Sequence, residues 1–489
     1  MALIVDGWHR GAVRRPALVW SELMTETRTD TGRLALELRR DTGVPLHRQL
    51  ETAIRDSIRT GALRRGSVLP PTRVLAADLG ISRGVVVEAY QQLTAEGYLA
   101  SRTGGNTVVA GGQAPAVAVL REAARPPRAR IDLSYGRADL SSFPRAAFSR
   151  AIRHVLAREP HDVFGYLSGA GTPQLRTALA AYLNRVRGTV ADPERIVICN
   201  GYAQGIALLI QVLAAAGAKR FALEDPSSVD DALPLARAAG LEVAGIPVDE
   251  NGIRTDLLRA SDADAVILTP AHQWPTGAVL SAANRAAVLD WARTRDAILV
   301  EDDYDAELRY DRTAVGAMQG LAPDQVVYAG SASKTMAPGL RIGWFLLPGR
   351  LAGPMAEAKI MADRGSPALD QLALAELVAN GEFDRHLRRM RPVYRRRRDA
   401  LLAALAQHLP MLRPAGISAG LHLVAWLPGQ LDEAAVAAAA YQAGVSVDTV
   451  GPYRIAGPGP GGLIFGFAAV SERAIDEGVA LIARAIRSM

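Results

Sequence analysis

The chain has 489 residues, of which 49% are apolar and 22% charged, with a formal net charge of +6. This composition excludes a disordered chain, and the length suits two or three domains. The single cysteine excludes a disulfide framework, and the sequence shows neither a membrane-length apolar run nor a secretory signal, so we expect a cytoplasmic protein with no membrane segment.

The charge is unevenly distributed along the chain. Residues 1–130 contain 19 arginines and 12 acidic residues, whereas the remainder contains 37 basic and 38 acidic residues. A basic module beside a nearly neutral one predicts a polyanionic partner for the first module only. We therefore divide the chain into an extension (1–30), a basic module (31–110), an Ala/Pro/Gly/Arg-rich linker (111–130) and a body (131–489).

The basic module is predicted to contain three helices and a hairpin. Helical apolar spacing covers residues 47–60, 74–79 and 82–96, and Ser82 is placed to cap the third helix. A short helix, a turn through Gly80 and a longer helix are typical of a helix-turn-helix. Residues 98–102 and 107–110 are predicted to pair around a glycine-rich turn, which forms a wing.

These segments resemble the GntR family of winged helix-turn-helix repressors over residues 44–110. The resemblance rests on PLHRQLETAIRDSIRTGAL, LPPTRVLAADLGISRGVVVEAYQQL and AEGYLASRTGG. It implies contacts with double-stranded DNA from Thr72, Arg73, Ser82, Arg83, Gly84, Gly104 and Gly105. Arg83 in the first turn of the recognition helix is placed for base edges, and Arg73 for phosphate. The alternative is a small helical module that contacts another protein.

The body alternates short β-branched runs with helical stretches. Strands are predicted at 196–199, 265–268, 297–300 and 326–329, and a helix at 284–293. This alternation favours an α/β fold with a largely parallel sheet covered on both faces.

Polar segments follow several of these strands. Gly201-Tyr202-Ala203 opens a helix after the first strand, and free amides at a helix start can bind an anion. His272 lies in TPAHQWPTG after another strand, and the acidic run EDDYD, with Asp302 and Tyr304, ends a third. Taken alone, the acidic run could also be a solvated or metal-binding loop.

Lys334 is the most informative residue of the body. The chain has only three lysines, at 219, 334 and 359, and arginine takes nearly every other cationic position. A lysine kept among so many arginines is expected to be needed as a primary amine, since a guanidinium cannot form a Schiff base. The segment SASKTMAPGLRIG resembles the lysine segment of aminotransferases that carry pyridoxal 5′-phosphate (PLP). The alternative is a surface lysine before a Pro-Gly turn.

The resemblance implies a role for each polar segment. Lys334 would form the Schiff base, and a carboxylate would pair with the pyridine nitrogen. Asp302 is predicted for that pairing and Tyr304 for the ring hydroxyl, although Glu301 or Asp303 could point inward instead. The remaining predicted cofactor-binding residues are Ser331, Ser333, Arg341, Gly201, Tyr202, Ala203 and His272, with Ser331 and Arg341 on the phosphate. No metal site is predicted.

The whole chain resembles the MocR family, also called GabR-like regulators. In that family a GntR-type head is joined to a fold-type-I aminotransferase body, here matched by EDDYDAELRY, TPAHQWPTG and SASKTMAPGLRIGW. The resemblance implies a head-to-tail homodimer that binds PLP and uses the body to sense an effector.

Two departures from that pattern concern the effector. Ser227-Ser228 stand where relatives often place Gly-Tyr, whose ring stacks on the cofactor. Ile464 stands where aminotransferases hold the substrate carboxylate with an arginine, and Arg454 is the nearest arginine upstream. A buried carboxylate without a cation is costly, so PLP itself becomes a candidate effector beside an amine or amino acid.

We therefore predict a PLP-dependent transcriptional regulator that binds an operator as a dimer. The alternative is a working aminotransferase with an accessory winged helix, and a third is a DNA-binding protein whose body no longer binds PLP. The arginine run at 388–398 is interpreted as the solvated face of a helix, with a second nucleic-acid patch as its alternative.

Overall fold

The computed structural model describes residues 38–101, 105–111, 129–227, 232–310, 315–416 and 419–489. The chain divides into two compact units, Met1–Pro126 and Pro127–Met489. The predicted extension, most of the predicted linker, Gly104 and Ser228 lie outside the described residues. Within those ranges we find no helix that combines the length and the apolar character needed to cross a membrane.

The smaller unit is a winged helix-turn-helix, as predicted. Its helices are α1 (Leu46–Arg59), α2 (Thr72–Leu79) and α3 (Arg83–Ala95), and its wing pairs β1 (Leu99–Ser101) with β2 (Thr107–Val109) in antiparallel register. Apolar residues of all three helices and both strands form one buried core. Gly80, at φ +62°, ends α2 in the left-handed conformation that turns the chain into α3.

Ser82 occupies the predicted N-cap position before α3, and its side chain makes no capping hydrogen bond there. The hydroxyl is exposed, so solvent can satisfy it at little cost.

The larger unit is built on an eight-stranded sheet with the order β4-β11-β10-β9-β8-β5-β6-β7. Strands β10, β9, β8, β5 and β6 run parallel in that order, whereas β11 is antiparallel to both of its neighbours. The strands of the body, in chain order, are β3 (Ile131–Asp132), β4 (Ile196–Cys199), β5 (Arg220–Asp225), β6 (Glu242–Asp249), β7 (Gly252–Ile253), β8 (Ala265–Leu268), β9 (Ile298–Asp302), β10 (Val326–Ser331), β11 (Gly343–Leu346), β12 (Arg413–Ala415), β13 (His422–Trp426), β14 (Val445–Ser446), β15 (Asp448–Thr449) and β16 (Gly462–Gly466).

Helices cover the sheet and pack against its strands in the core. They are α4 (Arg145–Arg158), α5 (Pro173–Arg187), α6 (Tyr202–Ala215), α7 (Ala232–Ala238), α8 (Thr255–Ala260), α9 (Ala282–Arg295), α10 (Ala332–Thr335), α11 (Gly349–Asp363), α12 (Ala368–Ala379), α13 (Glu382–His408), α14 (Glu433–Gln442) and α15 (Glu472–Arg487). Successive residues of β9 enter different cores: Val300 packs with residues of α6 and α11, and Leu299 packs with residues of α9. Burial on both faces explains why the strands read as continuous apolar runs.

A second sheet lies toward the C-terminus, with the order β12-β13-β16-β15. Leu423, Leu463 and Phe465 pack into the large core that includes residues of α13 and α15. Val424 and Ile464, which are register partners, belong to a separate cluster with Trp274 and Tyr453. Alternation along these strands therefore sends one face to the helices and the other to the loops above the main sheet.

Candidate functional site

The predicted polar segments meet at one edge of the main sheet. Parallel strands end at the same edge, and β9 pairs with β10 so that Asp302 lies opposite Ala329, two residues before the end of β10. Strand β4 runs in the same direction because β11 is antiparallel to both β4 and β10. The edge therefore gathers the segments around Gly201, His272, Asp302 and Lys334, which is the position where open α/β sheets bind ligands.

Gly201 and Arg341 form one corner of this edge. We call these two residues, together with Ser331, the phosphate cradle. Gly201 has φ +84° and ψ 175° and precedes α6, so Tyr202 and Ala203 open that helix with their amides. A Cβ on Gly201 would lie 2.8 Å from Arg341 Nη2, and Arg341 Nη2 donates to the Asn200 carbonyl oxygen at 2.6 Å. The guanidinium thus lies against a glycine backbone at a helix start, which is an arrangement for an anion.

The cradle is held from behind by a buried lysine. Lys359 is fully buried and donates to both Asp363 carboxylate oxygens, at 2.7 and 2.6 Å. Asp363 in turn accepts from Asn200 Nδ2 at 2.9 Å and Gln204 Nε2 at 2.7 Å. These bonds fix the turn that carries Gly201 and explain one of the three lysines as structural.

Lys334 lies in α10, directly after β10. Its Nζ donates to the Gly136 carbonyl oxygen at 2.9 Å and lies 6.0 Å from the centre of the Tyr135 ring. Ser331 Oγ accepts from the Ser333 amide at 3.2 Å, which caps this short turn. The third lysine, Lys219, is exposed at the start of β5, so Lys334 is the lysine located at the strand ends.

Because side chains alternate along a strand, the neighbouring acids Glu301, Asp302 and Asp303 do not all point in the same direction. Glu301 is buried and accepts from the Met318 and Gln319 amides, and burial together with Asp303 raises the pKa of Glu301 to about 7. Asp303 is buried against Arg187 at 2.7 Å and accepts from the Tyr328 hydroxyl at 2.7 Å. Both acids are therefore committed to structural contacts, which leaves Asp302, on the opposite side of the strand end, as the candidate for a ring nitrogen.

Tyr304, His272 and Asp305 form a hydrogen-bonded network. The Tyr304 hydroxyl donates to the His272 carbonyl oxygen at 2.9 Å and lies 3.1 Å from His272 Nδ1, and Nδ1 lies 2.9 Å from Asp305 Oδ2. Burial, with the Asp305 carboxylate beside it, raises the pKa of Tyr304 well above its usual value. The phenol therefore stays protonated and can donate.

His422 lies beside this network, with its ring centre 5.0 Å from that of His272. Burial lowers the pKa of His422 well below its usual value, so the ring is neutral. His272, Asp305 and His422 offer ligand atoms within 4.8 Å of one another. Because the nitrogen and carboxylate atoms already bond one another or the Pro275 carbonyl oxygen, we assign no metal to them.

A buried glutamate fixes the loop that carries His272. Glu224 accepts from the Thr269 amide at 3.0 Å and the Thr269 hydroxyl at 2.7 Å. Gln273 Nε2 lies 3.4 Å from the same carboxylate and donates to the Pro226 carbonyl oxygen at 2.9 Å. Burial raises the pKa of Glu224 to about 7. This role of Glu224 was not predicted from the sequence.

The side chains at this edge fit PLP. An arginine and helix amides suit a phosphate, a carboxylate suits a protonated ring nitrogen, a protonated phenol suits the ring oxygen, and a lysine supplies the amine. The cradle also requires glycine at residue 201, since a side chain there would meet Arg341. Tyr202 would contribute through its backbone, because its ring stacks on Phe345 with centres 6.0 Å apart.

An aromatic cluster borders Lys334 on the other side of the site and was not predicted. It consists of Tyr135, Trp274 and Tyr453, and we call it the aromatic box. The ring centre of Tyr135 lies 3.9 Å from that of Trp274 and 6.0 Å from that of Tyr453. These residues come from three distant segments with no shared local pattern, so no sequence signal identifies them together.

Ser227 and Ile464, which belong to the two departures noted in the sequence, lie next to the aromatic box. The Ser227 amide donates to the carbonyl oxygen of Tyr453, an aromatic residue of the C-terminal region, at 3.0 Å. Ile464 is fully buried in the cluster that contains Trp274, Tyr453, Val424 and Val450. Arg454 donates instead to the Pro460 carbonyl oxygen at 2.7 Å.

The candidate nucleic-acid contacts lie in the smaller unit. Arg73 is exposed in the first turn of α2, and Ser82, Arg83 and Gly84 are exposed at the start of α3. Thr72 is half-buried, and Gly105 is exposed beside the wing strands at φ +86°. This arrangement presents Arg83 at the start of α3, a helix that is otherwise anchored by a buried apolar face.

The arginine run of α13 lies in the larger unit. Arg391 Nε donates to the Glu307 carbonyl oxygen at 2.7 Å, and Arg397 pairs with Asp139 at 3.0 Å. Arg389 donates to the Ser142 carbonyl oxygen at 3.2 Å. These three arginines bind other parts of the body, which favours a structural interpretation of the run over a second nucleic-acid patch.

Comparison with known proteins gives the same two parts. Residues 130–482 match the aminotransferase class I and II family, and residues 46–109 match the bacterial regulatory proteins of the gntR family. The chain is 33% identical over 466 residues to the probable rhizopine catabolism regulatory protein MocR of Rhizobium meliloti, covering 91% of this chain and 94% of that protein. It is 31% identical to the HTH-type pyridoxine biosynthesis transcriptional regulator PdxR of Corynebacterium glutamicum, covering 90% and 95%.

Among solved structures, the body is similar to LysN, the alpha-aminoadipate aminotransferase of Thermus thermophilus complexed with N-(5′-phosphopyridoxyl)-L-leucine. The TM-score is 0.66 at 25% identity, covering 73% of this chain and 92% of that one. Fold and site thus define an aminotransferase-like body on a chain that also carries a GntR-type winged helix. The chain belongs to the family of HTH-type transcriptional regulators that includes MocR and PdxR, as the sequence predicts.

Proposed function

We propose that this protein binds an operator in double-stranded DNA through its winged helix and adjusts that binding through PLP held in its body. The observation that carries the proposal is the presence on one chain of exposed Arg73 and Arg83 at two helix starts and of Lys334 among the polar groups of the strand ends. Either feature alone would suit a simpler protein, whereas together they suit a regulator.

For DNA, we propose contacts from the residues at the starts of α2 and α3 and from the wing, namely Thr72, Arg73, Ser82, Arg83, Gly84, Gly104 and Gly105. Arg83 would reach base edges in the major groove, and Arg73 would contact phosphate. A head-to-tail homodimer would present two winged helices to two half-sites.

For the cofactor, we propose that Lys334 bonds its aldehyde carbon and Asp302 pairs with its ring nitrogen. The remaining contacts would come from Tyr304, His272, Ser331, Ser333, Arg341 and the amides of Gly201, Tyr202 and Ala203. When bound, the cofactor supplies a carbonyl carbon that reacts reversibly with amines and a ring that withdraws electrons. The protein's own groups orient the ring, neutralise the phosphate and keep the Tyr304 proton in place.

The regulatory step would be a change in the population of DNA-binding states. A ligand shifts such an equilibrium only by its difference in affinity for the two states. PLP itself is one candidate signal, and the similarity to PdxR, a regulator of pyridoxine biosynthesis, supports it. An amine or amino acid that reaches Lys334 is the other.

The test is binding of the purified protein to the intergenic DNA upstream of its own gene, with and without PLP, at several salt concentrations. We expect salt-dependent, sequence-specific binding whose midpoint changes with PLP. Arg83→Ala should weaken specific binding by about 1–3 kcal/mol, roughly fivefold to 150-fold. Arg59→Ala removes the same charge from the exposed end of α1 and should leave specificity unchanged. Transamination of an amine donor without specific DNA binding would overturn the proposal in favour of an enzyme.

A further inference from the structure

The site has a second half that the cofactor contacts do not explain. The aromatic box lies beside Lys334, because the Tyr135 ring centre is 6.0 Å from Lys334 Nζ and 3.9 Å from the ring centre of Trp274. Ile464 and Val424 extend this apolar surface, and Tyr304 packs against the same cluster. A group bonded near Lys334 would therefore meet aromatic and aliphatic side chains on this side.

Strand pairing fixes the direction in which Ile464 points. Ile464 lies opposite Val424 in the β13–β16 pair, and both belong to the cluster of the aromatic box. Its sequence neighbours Leu463 and Phe465 pack in the opposite direction, into the helical core. Of the three residues, Ile464 is therefore the one on the side of the aromatic box, where it is fully buried and carries no charge.

The titratable residue paired with Ile464 on this strand face is an acid. Asp448 is the register partner of Ile464 in the β15–β16 pair, and its Oδ2 accepts from the Tyr135 amide at 2.9 Å. Arg137, which lies near Asp448, forms an ion pair with Asp132 and has more than half of its side chain exposed. The ring of His422 is neutral because of its burial.

We propose that the body selects a primary amine that carries an apolar group and no carboxylate. A carboxylate placed here would lie between an aliphatic wall and Asp448, and a buried charge without a counter-ion is costly. An aryl or alkyl group would instead bury its surface against the aromatic box, and an ammonium would be favoured by the rings and by the acid. This inference rests on the proposed function, since it names the class of effector.

The first test uses two matched pairs that differ only in the carboxylate: 2-phenylethylamine with phenylalanine, and isoamylamine with leucine. Each is titrated into the PLP-loaded full-length protein, with melting temperature and operator-binding midpoint as readouts. We expect each amine to bind at least about tenfold more tightly than its amino acid, a difference of about 1.4 kcal/mol. Equal affinity, a preference for the amino acids, or no binding by any of the four at millimolar concentration would overturn the inference.

The second test changes the two residues that carry the argument. Asp448→Asn removes the repulsion between the acid and the ligand carboxylate, so the affinity ratio of amine to amino acid should fall severalfold in each pair. Ile464→Arg supplies a cation for the carboxylate, so the amino acid of each pair should then bind more tightly than the amine. Asp290→Asn, at an exposed residue of α9, is the matched control and should leave the selectivity unchanged. If Ile464→Arg does not fold, Asp448→Asn still tests the inference. An unchanged ratio of amine to amino-acid affinity in Asp448→Asn would contradict the proposed repulsion. A protein that binds its operator and responds to PLP but shows no amine selectivity would contradict this inference alone.

Discussion

The phosphate cradle and the aromatic box, which borders Lys334, differ in how they are built. The cradle has a cation, helix amides and a glycine at φ +84°, with Lys359 and Asp363 behind it. The box has three aromatic rings, and Ile464 and Asp448 lie beside it. The cradle suits an anion, as PLP requires, whereas we propose that the box disfavours one.

The largest effect is expected at the residue between the two regions. Lys334→Ala removes the amine that directly follows β10, so the visible absorbance of lysine-bound PLP should disappear while the circular dichroism of the fold is unchanged. Lys219→Ala, at an exposed lysine, should keep the full absorbance. A lysine-type band that persists in the Lys334 variant would mean that another lysine bonds the cofactor.

The next variant changes the phosphate cradle and leaves the residues of the aromatic box unchanged. Gly201→Ala places a Cβ 2.8 Å from Arg341 Nη2 at a backbone conformation that favours glycine, so PLP affinity should fall about tenfold or more. Gly217→Ala, at φ +100° near the other end of α6, has nothing within 4 Å and is the control for backbone strain alone. Affinities come from titration followed by absorbance. Equal affinities in both variants would show that residue 201 has no role in the cradle.

Asp302 and Asp303, at the end of β9, are neighbours with different expected roles, one in cofactor binding and the other in stability. Asp303→Asn leaves the buried Arg187 without its counter-ion and should lower the free energy of unfolding by about 3–5 kcal/mol. Asp302→Asn should change it by less than about 1 kcal/mol but weaken PLP binding. Chemical denaturation without added PLP measures the first effect and absorbance titration the second. The reverse pattern would assign the ring nitrogen to Asp303.

The smallest effect is a pH dependence at Glu224, which supports the loop leading to Trp274. Its pKa is about 7 in the folded protein against an ordinary 4.5, so the folded state holds the proton more tightly than the unfolded chain. Its contribution to stability is therefore complete below pH 4.5 and is lost as the pH rises toward and through 7. Glu224→Gln cannot ionise, so its stability relative to the parent protein should improve between about pH 5 and pH 8. Chemical denaturation of both proteins at about pH 5 and pH 8 measures the difference between their free energies of unfolding. The same difference at both pH values would mean that Glu224 stays ionised.

Much of the fold and one side of the site could be predicted from local pattern. The winged helix, the strand-helix alternation and the family follow from segments whose residues are contiguous, and Gly201, Asp302, Ser331 and Lys334 each lie within a few residues of a strand end. The apolar period cannot decide which of Glu301, Asp302 and Asp303 faces a ligand, because alternation is uncertain where a strand ends. Arg187, Tyr328 and the amide of Met318 settle that point, and they are distant in sequence.

The amino-acid sequence was enough to identify a GntR-type head and an aminotransferase body with Lys334 after a strand. Lysine segments, helix starts and strand ends are short contiguous motifs, so they can be recognised without a structure. The surroundings of that lysine could be seen only in the folded chain, because Tyr135, Trp274, Asp448 and Ile464 come from four separate segments. Strand pairing and packing between distant elements bring these four residues together.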